Sequence, residues 1–276
     1  MQMKFPMFID RKLEEKFSIN GFIHIKNYLN DFEINELKIL FDSCYNYKGE
    51  DQGMWNSLYN LPIDRFSHVS PQILDLLSSK LSSTFWGFKA PVASFMTKNP
   101  NRNGVTELHR DFSVLDETNF QYRNVWIPLV DTNMENGALY ALDRSHNFFK
   151  YPLPMFTKWP YIVFQQILYN SCTVVDAKAG DLVVYADRTL HGSFINQTNQ
   201  PRPVVHLGLL PTDASLTYYH LNNSDNIVTV YDVPFSFYLK AKFEVNEGNY
   251  PVIRKFKYEP PEVSLQSIYR EWPSGV

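Results

Sequence analysis

The sequence predicts a mainly β fold of sandwich, jelly-roll or barrel type with flanking helices. Three observations carry this: two helical stripes before residue 88, eight short apolar or alternating runs after it, and turn residues between those runs. In NDFEINELKILFDSC, Asn30 and Glu33 have capping-box spacing, and Ile34, Leu37, Leu40, Phe41 and Cys44 recur with helical period. In SPQILDLLSSKL, Ser70-Pro71 reads as a cap and a first-turn proline ahead of Ile73, Leu74, Leu77 and Leu81. The strand series is APVASFMTKN, VTELHRDF, RNVWIPLVD, GALYALD, CTVVDA, DLVVYAD, HGSFIN and PVVHLGLLP. Asn136-Gly137 reads as a turn. Residues 145–170 interrupt the series as a long aromatic insertion with Phe148, Phe149, Trp159 and Tyr161, read first as packing, although long loops at a barrel mouth also build substrate pockets. Beyond Asp232 the only suggestion of order is a short helix in PFSFYLKAKF.

The chain has 276 residues, 44% hydrophobic and 16% aromatic, enough for a sizeable core in one domain. Within that domain the expected division is a helical N-terminal region (residues 1–88), a β core at about 89–212 and a C-terminal extension (residues 213–276). A formal charge of -3 and a pI near 6.2 give no broad footprint for nucleic acid or an anionic membrane, which leaves a small molecule as the expected partner. Cys44 and Cys172 make neither a disulfide framework nor a thiolate metal site. MQMKFPMFIDRKLEE lacks a signal-peptide run, and no apolar stretch approaches about 18 residues, so the expected location is the cytoplasm.

Chemistry enters at ELHRDFSVLDE. His109-Arg110-Asp111 matches the tripeptide of a kinase catalytic loop, but Asp116 stands where that loop needs Asn. None of the eleven glycines form G-x-G, and no D-F-G follows, so the kinase reading fails. On a strand, His109 and Asp111 share a face while Arg110 points away. One nitrogen and one carboxylate oxygen on one wall suit a borderline divalent metal, in the manner of the 2-His-1-carboxylate triad of non-haem Fe(II). Alone, the H-x-D pair is equally compatible with a structural contact.

A second constellation adds weight. In AGDLVVYADRTLHGSFINQTNQPRPVV, a buried-looking strand precedes His191 and Ser193, and Arg202 follows His191 by eleven residues. If the polar NQTNQ turn joins neighbouring strands, Arg202 lies deeper in the same mouth. Its planar fork would bind a carboxylate at two points. A metal with open positions beside a carboxylate anchor describes a chelated 2-oxo acid.

These segments resemble the phytanoyl-CoA dioxygenase family of Fe(II)- and 2-oxoglutarate-dependent oxygenases. The resemblance runs from about Phe17 to Pro211, through FSINGFIHIKNYLNDFEINELK, LHRDFSVLDE, VWIPLVDTNMENGALYALDRSH, AGDLVVYADRTLHGSFINQTNQPR and VVHLGLLP. It implies a double-stranded β-helix, a cupin-like jelly roll. It also implies that His109, Asp111 and His191 bind iron and that Arg202 anchors the distal carboxylate of 2-oxoglutarate, with Ser193 and Trp126 beside it. The implied reaction takes up O2, releases succinate and CO2, and hydroxylates an unactivated C-H bond. Desaturation, epoxidation and ring formation are the alternatives with the same cofactors. Related halogenases carry a small residue at the position of Asp111, so the carboxylate here favours hydroxylation.

Where the family usually has a small residue before S-H, this chain has Arg144, which could contact substrate or simply be solvated. Trp55 and Tyr59 in GMWNSLYNLP are also ambiguous between packing and substrate contact. His206 is an alternative ligand to His191 but reads better as a hydrogen-bonded core histidine, and His146 reads as a turn residue. A zinc hydrolase could use the same three ligands but would leave Arg202 unexplained; a non-catalytic jelly-roll module would explain none of the four residues. The expected substrate is a small polar metabolite or a natural product.

Overall fold

The structure, a computed structural model, describes residues 6–46, 53–100, 104–148, 150–239, 243, 245, 248–260 and 262–271. Phe149 and residues 240–242 of the PFSFYLKAKF run lie outside the described residues, as do residues 1–5 of the N-terminal run. In chain order the elements are α1 (Arg11–Asn20), β1 (Phe22–Ile25), α2 (Asp31–Cys44), β2 (Met54–Asn56), α3 (Ser57–Asn60), α4 (Ile63–Thr84) and β3 (Phe88–Lys89). Then come β4 (Ala93–Lys98), β5 (Thr106–His109), β6 (Arg123–Pro128), β7 (Leu139–Ala141), α5 (Gln165–Tyr169), β8 (Thr173–Val175), β9 (Leu182–Ala186) and β10 (His191–Ser193). The chain continues with β11 (Arg202–Pro211), β12 (Thr217–Asn222), β13 (Ile227–Asp232), β14 (Val252–Lys257) and α6 (Leu265–Glu271).

The strands form a seven-stranded sheet in the order β1-β9-β6-β11-β4-β2, with β3 also on β11, and a four-stranded sheet in the order β5-β10-β7-β8. Alternation along the strands explains how the sheets stack, because side chains one residue apart serve opposite faces. Val125 and Ile127 of β6 pack with Leu37, Phe41, Ile73 and Leu77 of the helices. Trp126, between them, packs inward with Val183 and Val204 of its own sheet and with Leu139, Ala141 and Val175 of the other. Two antiparallel sheets facing each other, with helices on the outer face of the larger, make a double-stranded β-helix, an open jelly roll.

Each of the eight predicted runs contains a strand. The capping box is present in full: the Glu33 N–H donates to Asn30 Oδ1 at 2.9 Å, and the Asn30 N–H donates to Glu33 Oε2 at 2.8 Å. Caps of this kind contribute about 1 kcal/mol. The apolar stripe behind it, Ile34, Leu37, Phe41 and Cys44, is buried.

Ser70-Pro71 does not start a helix. α4 begins at Ile63 and carries Pro71 inside it. Ser70 makes a tertiary bond instead, its hydroxyl accepting from the Ala93 N–H at 3.0 Å. The N-terminal region is not helical throughout either, since β1 and β2 extend the larger sheet. The C-terminal extension forms a third sheet, β12-β13-β14, and the described residues of PFSFYLKAKF hold a single 3-10 turn at Phe235–Phe237. The extension is tied to the core where Tyr219 Oη donates to Leu115 O at 3.1 Å. The aromatic insertion packs as expected: Phe148, Trp159 and Tyr161 are buried in one apolar cluster.

Candidate active site

Antiparallel pairing of β5 with β10 sets His109 directly opposite His191, with ring centroids 4.4 Å apart. β5 ends at His109, so Asp111 comes from the extended backbone just past it, where its N–H donates to Asp187 O at 3.1 Å. Asp111 Oδ1 stands 3.8 Å from His109 Nε2 and 4.0 Å from His191 Nε2. The intervening Arg110 points away, donating to Glu117 Oε1 at 2.6 Å. The alternation expected of a strand therefore persists one turn of the pleat beyond it.

The three ligand-type atoms lie within 4.8 Å of one another. Each histidine donates from Nδ1 to a main-chain carbonyl, His109 to Glu107 O at 2.8 Å and His191 to Thr189 O at 2.9 Å. Those bonds fix the tautomer and leave both Nε2 lone pairs facing the carboxylate. Burial, then the neighbouring His109, pushes the His191 pKa down to about 4, so its imidazole is neutral at neutral pH. Two imidazoles that present Nε2 and one carboxylate fit Fe(II).

Asp111 has a support that the sequence reading missed. Asn124 Nδ2 donates to Asp111 Oδ2 at 2.7 Å, and Asn124 Oδ1 pairs with His206 Nε2 at 3.1 Å. His206 is thus the hydrogen-bonded histidine anticipated, joined to Asp111 through Asn124. His146 sits in a 3-10 turn, but its Nε2 lies 3.1 Å from Ser18 O and so ties that turn to α1.

The triad opens onto a cavity of about 390 Å³ that reaches Arg202, Ser193 and Trp126. Arg202 begins β11 and is buried; its guanidinium carbon lies 5.5 Å from the Trp126 ring centroid, and its Nε has no hydrogen-bond partner among the described residues. Burial lowers its pKa to about 9, which leaves it a cation at neutral pH. Beyond the triad the cavity is walled by Tyr59, Phe112, Tyr122, Met155, Tyr238 and Phe243. The insertion and the C-terminal extension therefore both contribute to this wall.

Two sequence-predicted substrate residues are placed elsewhere. Trp55 is turned outward by the alternation of β2 and packs edge-on against Phe41 and Tyr45 in the core, while its neighbour Met54 faces the cavity. Arg144 is exposed, in a left-handed turn (φ 64°) whose N–H donates to Asn20 O at 2.8 Å, and it does not line the cavity. Tyr59, held ambiguous with Trp55, does line it.

A family model for phytanoyl-CoA dioxygenase (PhyH) matches residues 17–204, more than half of the chain. The chain belongs to this family. A phytanoyl-CoA dioxygenase of Arabidopsis thaliana is 25% identical over 179 residues, which cover 59% of this chain and 62% of that protein. The matched region thus spans less than two thirds of that PhyH relative. Among solved structures, the non-haem α-ketoglutarate-dependent carbocyclase SnoK from nogalamycin biosynthesis superposes with a TM-score of 0.54 at 19% identity, covering 75% of this chain and 86% of its own. HygX from Streptomyces hygroscopicus, solved with nickel and 2-oxoglutarate bound, gives 0.54 at 15% identity and covers 74% and 88%. At these identities the likeness establishes the shared fold of this PhyH member.

Proposed function

We propose that the protein is an Fe(II)- and 2-oxoglutarate-dependent oxygenase that hydroxylates an unactivated C-H bond. One observation carries this reading: a His-His-Asp donor set and a buried arginine whose Nε has no hydrogen-bond partner among the described residues open onto the same cavity. In this reading His109, Asp111 and His191 hold the iron, and Arg202 binds the distal carboxylate of 2-oxoglutarate through its planar fork. Ser193 donates to that carboxylate, and Trp126 packs beside it. Iron so held would supply the oxidation of a C-H bond, with O2 consumed and succinate and CO2 released.

The chain's own residues handle placement. Asn124 keeps Asp111 Oδ2 engaged so that Oδ1 faces the histidines. The wall of Tyr59, Phe112, Tyr122, Met155, Tyr238 and Phe243 excludes water and holds substrate against the triad. Its aromatic character supports a natural product with an apolar ring surface over a small polar metabolite. HygX, a protein of like fold, has been solved with hygromycin B bound, which is compatible with natural-product chemistry. A zinc hydrolase would use the same donors yet give Arg202 no role.

The test is a screen of natural products with iron-loaded protein, reading succinate and product mass together. A product one oxygen atom heavier, with that oxygen shown by NMR to be a hydroxyl and not an epoxide, and formed only with Fe(II), 2-oxoglutarate and O2, supports hydroxylation. A product two hydrogens lighter would move the reading to desaturation or ring formation, the latter being the chemistry named for SnoK. Hydrolysis without succinate would reject it.

A further inference from the structure

Lys98 is a buried cation for which the iron and cosubstrate reading has not yet accounted. It is 1% exposed and stands directly opposite Arg202 in the β4–β11 register, with Met54 of β2 opposite it on the other side. Directly opposite residues in antiparallel strands share a sheet face. Met54 and Arg202 both line the cavity, so Lys98 rises from the same face between them. Its ammonium donates to the carbonyls of Gly104 and, at 3.4 Å, of the cavity-lining Ser193, and Lys98 does not itself line the cavity. Space is kept for its stem by Gly137, whose φ is +97° and where a Cβ would stand 2.5 Å from Lys98 Cδ.

Two buried cations side by side are costly unless an anion compensates them, because each has lost its hydration and repels the other. Among the described residues no carboxylate forms an ion pair with either. Burial and the charge of Arg202 pull the Lys98 pKa down to about 7, so without a counter-ion the ammonium is only partly populated at neutral pH and a bound anion would favour it. We infer that Lys98 is a positioning residue for the cosubstrate, a second positive charge that with Arg202 makes a dicationic seat selecting 2-oxo acids with a distal carboxylate. This rests on the 2-oxoglutarate reading above and adds to it a determinant of cosubstrate choice.

A purely structural Lys98 would only tie the chain at Gly104 to β10. Lys98→Gln separates the two roles, since its amide still donates to those carbonyls but carries no charge; Lys98→Met serves as a second, apolar replacement. The experiment titrates anaerobic Fe(II)-loaded wild type, both variants and Arg202→Met with 2-oxoglutarate and with 2-oxopentanoate, which has a methyl group in place of the distal carboxylate. Binding is read by calorimetry. Loss of one nearby charge in a partly buried site should weaken 2-oxoglutarate by about tenfold in both Lys98 variants and leave 2-oxopentanoate unchanged. Equal weakening of both ligands, or no weakening of either, would overturn the inference while Arg202→Met still lowers 2-oxoglutarate affinity. If Arg202→Met has no effect, the cosubstrate reading itself fails, and this inference with it.

Discussion

Replacing Asn124 by Ala removes the amide that donates to Asp111 Oδ2 at 2.7 Å, and nothing else in that hydrogen-bond chain can take its place, because His206 reaches Asp111 only through Asn124. A hydrogen bond to a charged group is worth about 1.5–3 kcal/mol. Asn124 is 3% exposed but borders the cavity, from which water could partly replace the lost donor, so the whole of that range applies. At about 1.4 kcal/mol per tenfold change this corresponds to roughly 10–100-fold in metal affinity, the usual cost of removing a partner that orients a metal ligand. The assay is an anaerobic Fe(II) titration of wild type, Asn124→Ala and His206→Ala, with melting temperature as the check on folding. Asn124→Ala should lose affinity in that range, and His206→Ala less, since it only orients the amide. Unchanged affinity in a folded Asn124→Ala protein would refute the proposed support of Asp111. A His206→Ala loss as large as that of His191→Ala would make His206 a ligand.

Other outcomes follow from the same geometry. Arg202→Ala should weaken 2-oxoglutarate by roughly 30-fold or more, since leaving one partner of a buried charged pair unpaired costs about 2–5 kcal/mol, with Fe(II) affinity little changed; Lys at 202 should rescue only in part, lacking the planar fork. Gly208→Ala should cost about 1–3 kcal/mol in urea unfolding, because the Tyr122 ring and hydroxyl fill the space its Cβ would need. Burial holds the His146 pKa down to about 4, below its unfolded value near 6.5, so the unfolded chain takes up the proton first. Stability from this group is intact above about pH 6.5 and falls by up to about 1.4 kcal/mol per pH unit as pH drops toward 4. His146→Gln should flatten that slope, read from urea midpoints across the window, though not abolish it, because the pKa of His191 is depressed in the same sense.

The features of the site that were legible in the sequence are those fixed by short-range geometry. His109 and Asp111 share a side because alternate residues of an extended chain do, and that held although β5 stops at His109. The capping box of α2 needs only a three-residue spacing. Asn124 and Lys98 were illegible for the opposite reason: each is brought near the site by strand register, Asn124 beside Gly208 and Lys98 beside Arg202. Trp126, two residues past Asn124 on the same strand, was the available clue to Asn124. Ser70-Pro71 misled because a hydroxyl that looks like a cap is used by Ala93 from another element. Trp55 misled because a three-residue strand gives no periodicity to say which face is inward. The C-terminal sheet gave little warning, since most of VIRKFK in β14 is exposed and has no buried face to pattern it.

In the proposed function, His109, Asp111, His191 and Arg202 form one iron and 2-oxoglutarate centre. Its most direct measurement is the visible absorption band that appears when 2-oxoglutarate chelates protein-bound Fe(II) without oxygen, followed in wild type and in His109→Ala, Asp111→Ala, His191→Ala and Arg202→Ala. The wild type should develop the band with one iron and one 2-oxoglutarate per chain. The first three variants should lose it at all accessible iron concentrations, and Arg202→Ala should recover it at high 2-oxoglutarate. A wild type without the band, or a band of full strength and unchanged affinity in any ligand variant, would contradict the account.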